Sequence, residues 1–374
     1  MKLPWTLSCY LGRQFLRSMV LTLVIVLGII YVVELLDHVR RAADTARGVP
    51  FHLILEMALL KLPTTAERIY PFTILVGAMV ALARLARSSE LVVTRAAGVS
   101  VWQFLLPGVV VAASLGVLFV TVVNPVAASS IKRYERIESK YITGSTNMMV
   151  LTASGLWLRQ TGEEGISFAG KPAAEYILYA ARMDQTSYAL AQVMILLFDD
   201  AHRFLGRIDA PSAQLATGQW EIAQATLSSP GVMPQQHALY RLPTRLTLTQ
   251  IQDSFSDPET FSFWELPGFI AVLEKAGFSA LHHKLHFHSL IALPLLLAGM
   301  TLLAAVFSLR PPRRGGTGVL VVTGLAAGFT LYFLTNLIYA LGGSGTLPIT
   351  LAAWAPSLIV AMLSGAMLLH LEDG

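Results

Sequence analysis

The chain has 374 residues, of which 54% are hydrophobic and only 13% charged, and its mean hydropathy is +0.60. A soluble domain carries about 25% charge, so this chain cannot clothe an ordinary water-facing surface; a soluble enzyme and a disordered protein are both excluded. The net charge of +4 is too small an excess to argue for nucleic acid, and a single cysteine, Cys9, excludes a disulfide framework or a cysteine-based metal site.

A helix crossing ~30 Å of hydrocarbon needs about 20 mostly apolar residues. Stretches nearly free of Asp, Glu, Lys and Arg predict six spans in chain order, near 14–36, 62–84, 99–123, 287–309, 318–340 and 350–370. The first has the basic start of a signal peptide (Lys2, Arg13, Arg17). Its apolar run is too long for one, however, and Glu34 to Arg41 stand where a small-residue cleavage site belongs, so a retained span is expected. The last two come from one uncharged stretch, Gly315 to Leu371, divided by Gly342-Gly343-Ser344-Gly345 and Pro348.

Residues 132–262 differ in kind. They mix polar and apolar positions with turn residues, and Leu156-Trp157-Leu158, Gln192 to Phe198 and Arg245-Leu246-Thr247-Leu248 have strand-like content or alternation. This reads as an inserted all-β domain: a sandwich, a barrel or a jellyroll. The expected plan is therefore 1–131 with three spans, 132–262 with the β domain, and 263–374 with three more spans.

Short connections set orientation through their Lys and Arg content. With the N-terminus inside, the inner segments hold nine (Lys2, Arg13, Arg17, Arg84, Arg87, Arg95, Arg310, Arg313, Arg314) and the outer ones five (Arg40, Arg41, Arg47, Lys61, Arg68). Both termini are then expected inside and the β domain outside.

Motifs for chemistry are missing from the sequence. There is no G-x-x-x-x-G-K-[ST] loop, since Gly170-Lys171 runs into Pro172, and neither His-Glu-x-x-His nor Gly-x-Ser-x-Gly occurs. Any ATP hydrolysis therefore falls to another subunit. His282, His283, His286 and His288 invite a metal reading, but Lys284 lies among them and no carboxylate follows, so an interfacial cluster is expected instead. Glu67 and Arg68, near Pro71, read as interfacial or mutually paired.

Between spans two and three, Ser88 or Ser89 can cap a short helix with Glu90 in its first turn, and Gly98 can end it. Spacing alone makes this a charged turn. At the outer end of span one, Arg40 and Arg41 suit phosphate binding, because guanidinium groups bind phosphate in a bidentate way; they equally suit interfacial anchoring. Glycines and prolines within the spans, among them Gly77, Gly116 and Pro294, suit close helix packing and local kinks.

Several segments together carry a family resemblance. They are Ser89-Glu90-Leu91-Val92-Val93 with Ala97-Gly98, Asn124-Pro125, Gly155-Leu156-Trp157, and Phe263-Trp264-Glu265-Leu266-Pro267. To these add Lys284-Leu285-His286-Phe287-His288-Ser289-Leu290 with Pro294, and Ser308-Leu309-Arg310. With the layout of three spans, a β domain and three spans, the chain resembles the lipopolysaccharide-export permease family (LptF/LptG, also YjgP/YjgQ), and is nearer to the LptG type.

That resemblance implies an α-helical polytopic inner-membrane protein with six transmembrane helices and an inserted periplasmic jellyroll-like domain. It implies a non-catalytic permease that extracts lipopolysaccharide and passes it to a periplasmic bridge. The implied partners are an LptF-type permease, an LptB-type ATPase dimer, and LptC/LptA-type bridge proteins. ATP and Mg are used by the ATPase, and no cofactor is bound by this chain. Ser89, Glu90, Leu91 and Arg95 would contact the ATPase, and Arg40 and Arg41 the lipid phosphates. Glu34 departs from relatives that place a lysine there. Two other classes stand beside this reading. A membrane-embedded lipid-modifying enzyme would need a mid-membrane ionisable pair, which no span centre contains. A lipoprotein-release permease usually carries its extracytoplasmic domain after the first span.

Overall fold

The structure, a computed structural model, describes residues 5–43, 49–139, 141, 148–152, 155–161, 167–168, 171–183, 189–244, 257–275, 279–308 and 317–373. Lys2, Arg47, Gly170, Arg245-Leu246-Thr247-Leu248, Leu309, Arg310, Arg313 and Arg314 lie outside the described residues.

Two compact units emerge, one comprising Met1–Glu138, Glu259–Trp264 and Leu281–Gly374, the other Ser139–Pro258 and Glu265–Ala280. The first is helical. It contains α1 (Trp5–Ala43), α2 (Phe51–Arg87), α3 (Glu90–Ala96) and α4 (Val101–Leu118). A π turn, Phe119–Val123, joins α4 to α5 (Asn124–Glu138), and three helices from the C-terminal half belong to the same unit. Those three follow the β domain and a short helix α6 (Leu266–Lys275); they are α7 (Leu281–Ser308), α8 (Thr317–Gly343) and α9 (Ile349–Asp373). Among the described residues, six helices are long and apolar enough to cross a membrane, with α4, the π turn and α5 forming a single 38-residue candidate.

The expected spans fall on these helices, the third across α4 and the π turn and the fourth as far as Ser308, but several helices run further. The 39 residues of α1 would extend about 58 Å at 1.5 Å per residue, well past the hydrocarbon thickness. The helix continues through Glu34–Arg41 because its charges have partners there: Arg41 Nε meets Asp37 Oδ2 at 2.8 Å, one turn back.

The helices pack by bringing backbones together. A Cβ placed on Gly77 of α2 would sit 2.7 Å from Met19 Cα of α1, and one on Gly116 of α4 would sit 2.7 Å from Pro294 Cα of α7. Only a residue without a side chain permits these crossings. On α9, Ser357 donates to the Ala292 carbonyl of α7 at 3.2 Å, spending a buried hydroxyl on a neighbouring helix. The apolar window of α7 is 72% buried and that of α1 only 6%, so α7 is the most enclosed of these helices and α1 leaves most of its apolar surface uncovered by its own chain.

The second unit holds a seven-stranded antiparallel sheet. Its strands are β1 (Met148–Thr152), β2 (Gly155–Thr161), β5 (Glu175–Met183), β6 (Leu190–Phe198), β7 (Phe204–Ala216), β8 (Gln219–Ser228) and β9 (Gln235–Pro243), in that spatial order. A separate hairpin pairs β3 (Ser167–Phe168) with β4 (Lys171–Pro172). Strands that are successive in the sheet are hydrogen-bonded neighbours, as hairpin connections dictate. Alternation gives the sheet one buried face. Leu158, Leu178, Ile195 and Ile208 face one another across four strands and are each 3% exposed or less. The intervening positions point the other way: Leu196, opposite Ile177 and Arg207, is only partly buried. Hence the all-β reading of the insertion holds, and two of its strand-like runs fall within β2 and β6.

Candidate coupling and lipid-contact sites

At one end of the helical unit, α2 passes into α3 through two serines. Ser88 ends α2, its N–H donating to the Arg84 carbonyl at 3.0 Å. Ser89 takes a left-handed conformation, φ +60°, and its side chain makes no capping bond, so the expected cap is absent and the serine instead turns the chain. Ser88 supplies the anchoring instead: its hydroxyl donates to Glu90 Oε1 at 2.9 Å. Tyr10 of α1 donates to the same carboxylate oxygen at 3.2 Å. Thr94 donates to the Glu90 carbonyl at 2.6 Å, and Gly98 leaves the helix at φ +82°, where a side chain would be strained.

Of the four residues singled out here, Ser89 shapes the turn, Glu90 is held in place, Leu91 is half-buried and Arg95 is exposed. No residue of α3 is buried. Val92 and Val93 are 65% and 66% exposed, adjacent apolar side chains that their own chain does not cover. Sequence reasoning missed Tyr10. It lies 80 positions from Glu90, and no local signal links the two.

A second polar cluster lies near the end of α1. Arg40 is exposed, whereas Arg41 is shared between Asp37 (2.8 Å) and Glu138 (3.6 Å). Glu34 accepts a hydrogen bond from Lys61 Nζ of α2 at 2.9 Å. His38, 1% exposed, has Nδ1 2.6 Å from the Glu34 carbonyl and Nε2 3.2 Å from the Tyr134 hydroxyl. Glu34, Asp37 and His38 bring three donor atoms within 4.8 Å of one another, but Lys61 and Arg41 already hold the two carboxylates. The arrangement is an ion-pair network joining α1, α2 and α5, with Arg40 at its margin.

The histidines of α7 have different neighbours. His283 is buried against Phe261, His286 Nε2 lies 3.8 Å from Glu67 Oε1, and His288 meets the Phe287 ring edge-on. Glu67 and Arg68 do not pair with each other as the main contact. Arg68 donates to Glu259 through Nε (3.0 Å) and NH2 (2.7 Å), while Glu67 accepts from Asn124 Nδ2 at 3.3 Å. Asn124 also accepts the Phe263 N–H at 2.7 Å.

A model of the family described as lipopolysaccharide export system permease LptF/LptG matches residues 9–370. The chain belongs to the LptF/LptG family. Its similarity extends across the length of known members. The lipopolysaccharide export system permease protein LptG of Escherichia coli K12 is 25% identical over 369 residues, covering 96% of this chain and 94% of the relative. The protein of the same description from Haemophilus influenzae is 22% identical over 374 residues, covering 98% and 99%. Six apolar helices interrupted by an antiparallel sheet match the LptG-type fold. This LptF/LptG permease thus places its Glu90 segment beside α1, and joins its Asn124-Pro125 and Phe263-Trp264 segments directly to each other.

Proposed function

We propose that this chain is the LptG-type half of an ATP-driven transporter that draws lipopolysaccharide from the inner membrane and passes it toward the outer membrane. It pairs with an LptF-type permease above an LptB-type ATPase dimer, which binds and hydrolyses the ATP with Mg. Both termini and α3 lie on the ATPase side, and the β domain lies in the periplasm, where LptC/LptA-type bridge proteins receive the lipid.

The observation that carries the coupling assignment is Glu90, a carboxylate pinned by Ser88 and Tyr10 beside the exposed pair Val92 and Val93. The valines provide apolar area for a partner's groove, and Glu90 and Arg95 provide charges that fix its register. Tyr10 gives the contact mechanical reach. A displacement of α3 pulls on α1 through the Tyr10–Glu90 bond as well as on α2 through the chain itself. The cargo requires such an arrangement. Baring ~70 acyl methylenes at ~0.8 kcal/mol each would cost on the order of 50 kcal/mol, so the lipid must pass between apolar surroundings. Apolar helices and a sheet with one apolar face each offer such surroundings, and an exposed edge strand such as β9 can pair with a neighbouring sheet. Arg40 meets the lipid phosphates at the far end of α1.

Copurification with the ATPase tests the assignment. Glu90→Lys should abolish recovery of the complex, and Glu90→Gln, which keeps one oxygen able to accept from both Ser88 and Tyr10, should retain part of it. Full assembly and export by Glu90→Lys would overturn the coupling role.

A further inference from the structure

The polar residues gathered between α2, α5 and α7 have no part in the coupling or lipid contacts described above, and they form a fastening. The π turn Phe119–Val123 precedes Asn124 and Pro125. Proline has no N–H, so Pro125 cannot bond the Thr121 carbonyl one turn back. Trp264 takes that place, its indole Nε1 donating to Thr121 O at 3.4 Å. Beside it Asn124, 1% exposed, uses both halves of its amide. Oδ1 accepts the Phe263 N–H at 2.7 Å and Nδ2 donates to Glu67 Oε2 at 3.3 Å. The Phe263 ring stacks on Phe287 of α7, with centroids 5.2 Å apart. At the other end of the same strap, Glu259 takes both Arg68 bonds. A buried amide among apolar helices is costly unless satisfied; here its satisfaction depends on holding one peptide group of the strap Glu259–Trp264.

We propose that Asn124 and Trp264 are positioning residues that fasten the strap Glu259–Trp264 to the third span, so that movement of that span reaches the polypeptide leading into α6. This rests on the transporter reading above. The π turn supplies the movable part. It accommodates one more residue per turn than an α-helix, and π turns are frequent at functional sites. Resetting it to α geometry rotates Asn124 by about 100°, one residue of a 3.6-residue turn. The bonds to Phe263 and Trp264 then break together. The strap is released in one step.

The test uses the complete complex in lipid vesicles containing lipopolysaccharide, with Trp264→Phe, Asn124→Ala and the double variant. Trp264→Phe keeps an aromatic ring and removes the N–H donor together with the second ring of the indole. Expected are assembly and ATP hydrolysis within about two-fold of the parent, lipopolysaccharide delivered per ATP reduced at least about five-fold, and a double variant no worse than the worse single one. Unchanged delivery per ATP overturns the inference, including where assembly and hydrolysis fall together, which is the signature of a structural role alone. Failure of the parent complex to move lipid would refute the transporter reading instead. The fastening then has its own readout. Exchange of the Phe263 amide hydrogen should be slow without nucleotide, faster with ATP, and fast throughout in Asn124→Ala. Equal protection in both nucleotide states of the parent also overturns it.

Discussion

Replacing Gly116 by alanine tests whether the crossing of α4 and α7 sets the packing of the helical unit. The added Cβ would stand 2.7 Å from Pro294 Cα and 3.1 Å from Pro294 N. Non-bonded carbons rest comfortably at about 3.5–4.0 Å, so the two helices must part by roughly 1 Å. Both nearest atoms are backbone, which no rotamer change can move aside. Overpacking of this kind costs about 1–3 kcal/mol. Alanine also stabilises a helix over glycine by about 0.5–1 kcal/mol, which would mask part of the loss. Gly28→Ala supplies the correction, because its Cβ meets nothing within 4 Å and it shows the propensity gain alone. The difference between the two variants is then the cost of the crossing, about 1–3 kcal/mol. Equilibrium unfolding of the purified permease in mixed micelles, followed by tryptophan fluorescence, measures both. Equal midpoints for Gly116→Ala and Gly28→Ala would refute the close-approach argument. The same result would show that α4 and α7 are free to separate, and a movable third span would then need no π turn.

The spans were legible because hydrocarbon imposes a composition that few other environments impose. Helix ends were not, since hydropathy registers where apolar residues stop and not where hydrogen bonding does. The helix after the third span continues through Lys132, Arg133, Glu135 and Arg136 to Glu138, residues that the sequence placed in the β domain. Arg133 finds Glu56 on α2, and Lys132 lies over the Phe261 ring. The short helix α3 was legible from its flanking serines and Gly98, but the division of labour was not. Ser88 makes the side-chain contact and Ser89 the bend, a distinction set by one backbone torsion. Least legible were the long-range pairs: Tyr10 with Glu90, Glu34 with Lys61 and Asn124 with Phe263. Each joins helices whose relative placement no local pattern encodes. The Asn124-Pro125 and Phe263-Trp264 motifs stood out singly in the sequence. Their common reason, an amide and a carbonyl that each answer the other segment, exists only once the chain is folded.

Two further outcomes concern the β domain. A photo-crosslinker at Leu158 reports the buried face of the sheet and one at Leu196 the opposite face; lipid capture under ATP is expected at Leu158, and capture at Leu196 alone would place the path on the outer face. Acid sensitivity follows from Glu175. The Arg159 guanidinium bonds its carboxylate through Nε and NH2, His202 Nδ1 lies 3.3 Å away, and Arg159 above all holds the Glu175 carboxyl below its usual 4.5. The unfolded chain therefore binds the proton first as pH falls. The bridge's contribution is fully present above the ordinary glutamate value and is lost as pH drops through the lowered native one. Because Arg159 is 54% exposed, solvent and salt screen the bridge. Glu175→Gln should flatten the loss of β-domain stability below pH 4.5 at low salt, with little difference from the parent at high salt. A parent and variant with the same acid slope at low salt would show that the bridge contributes nothing to holding β2 against β5.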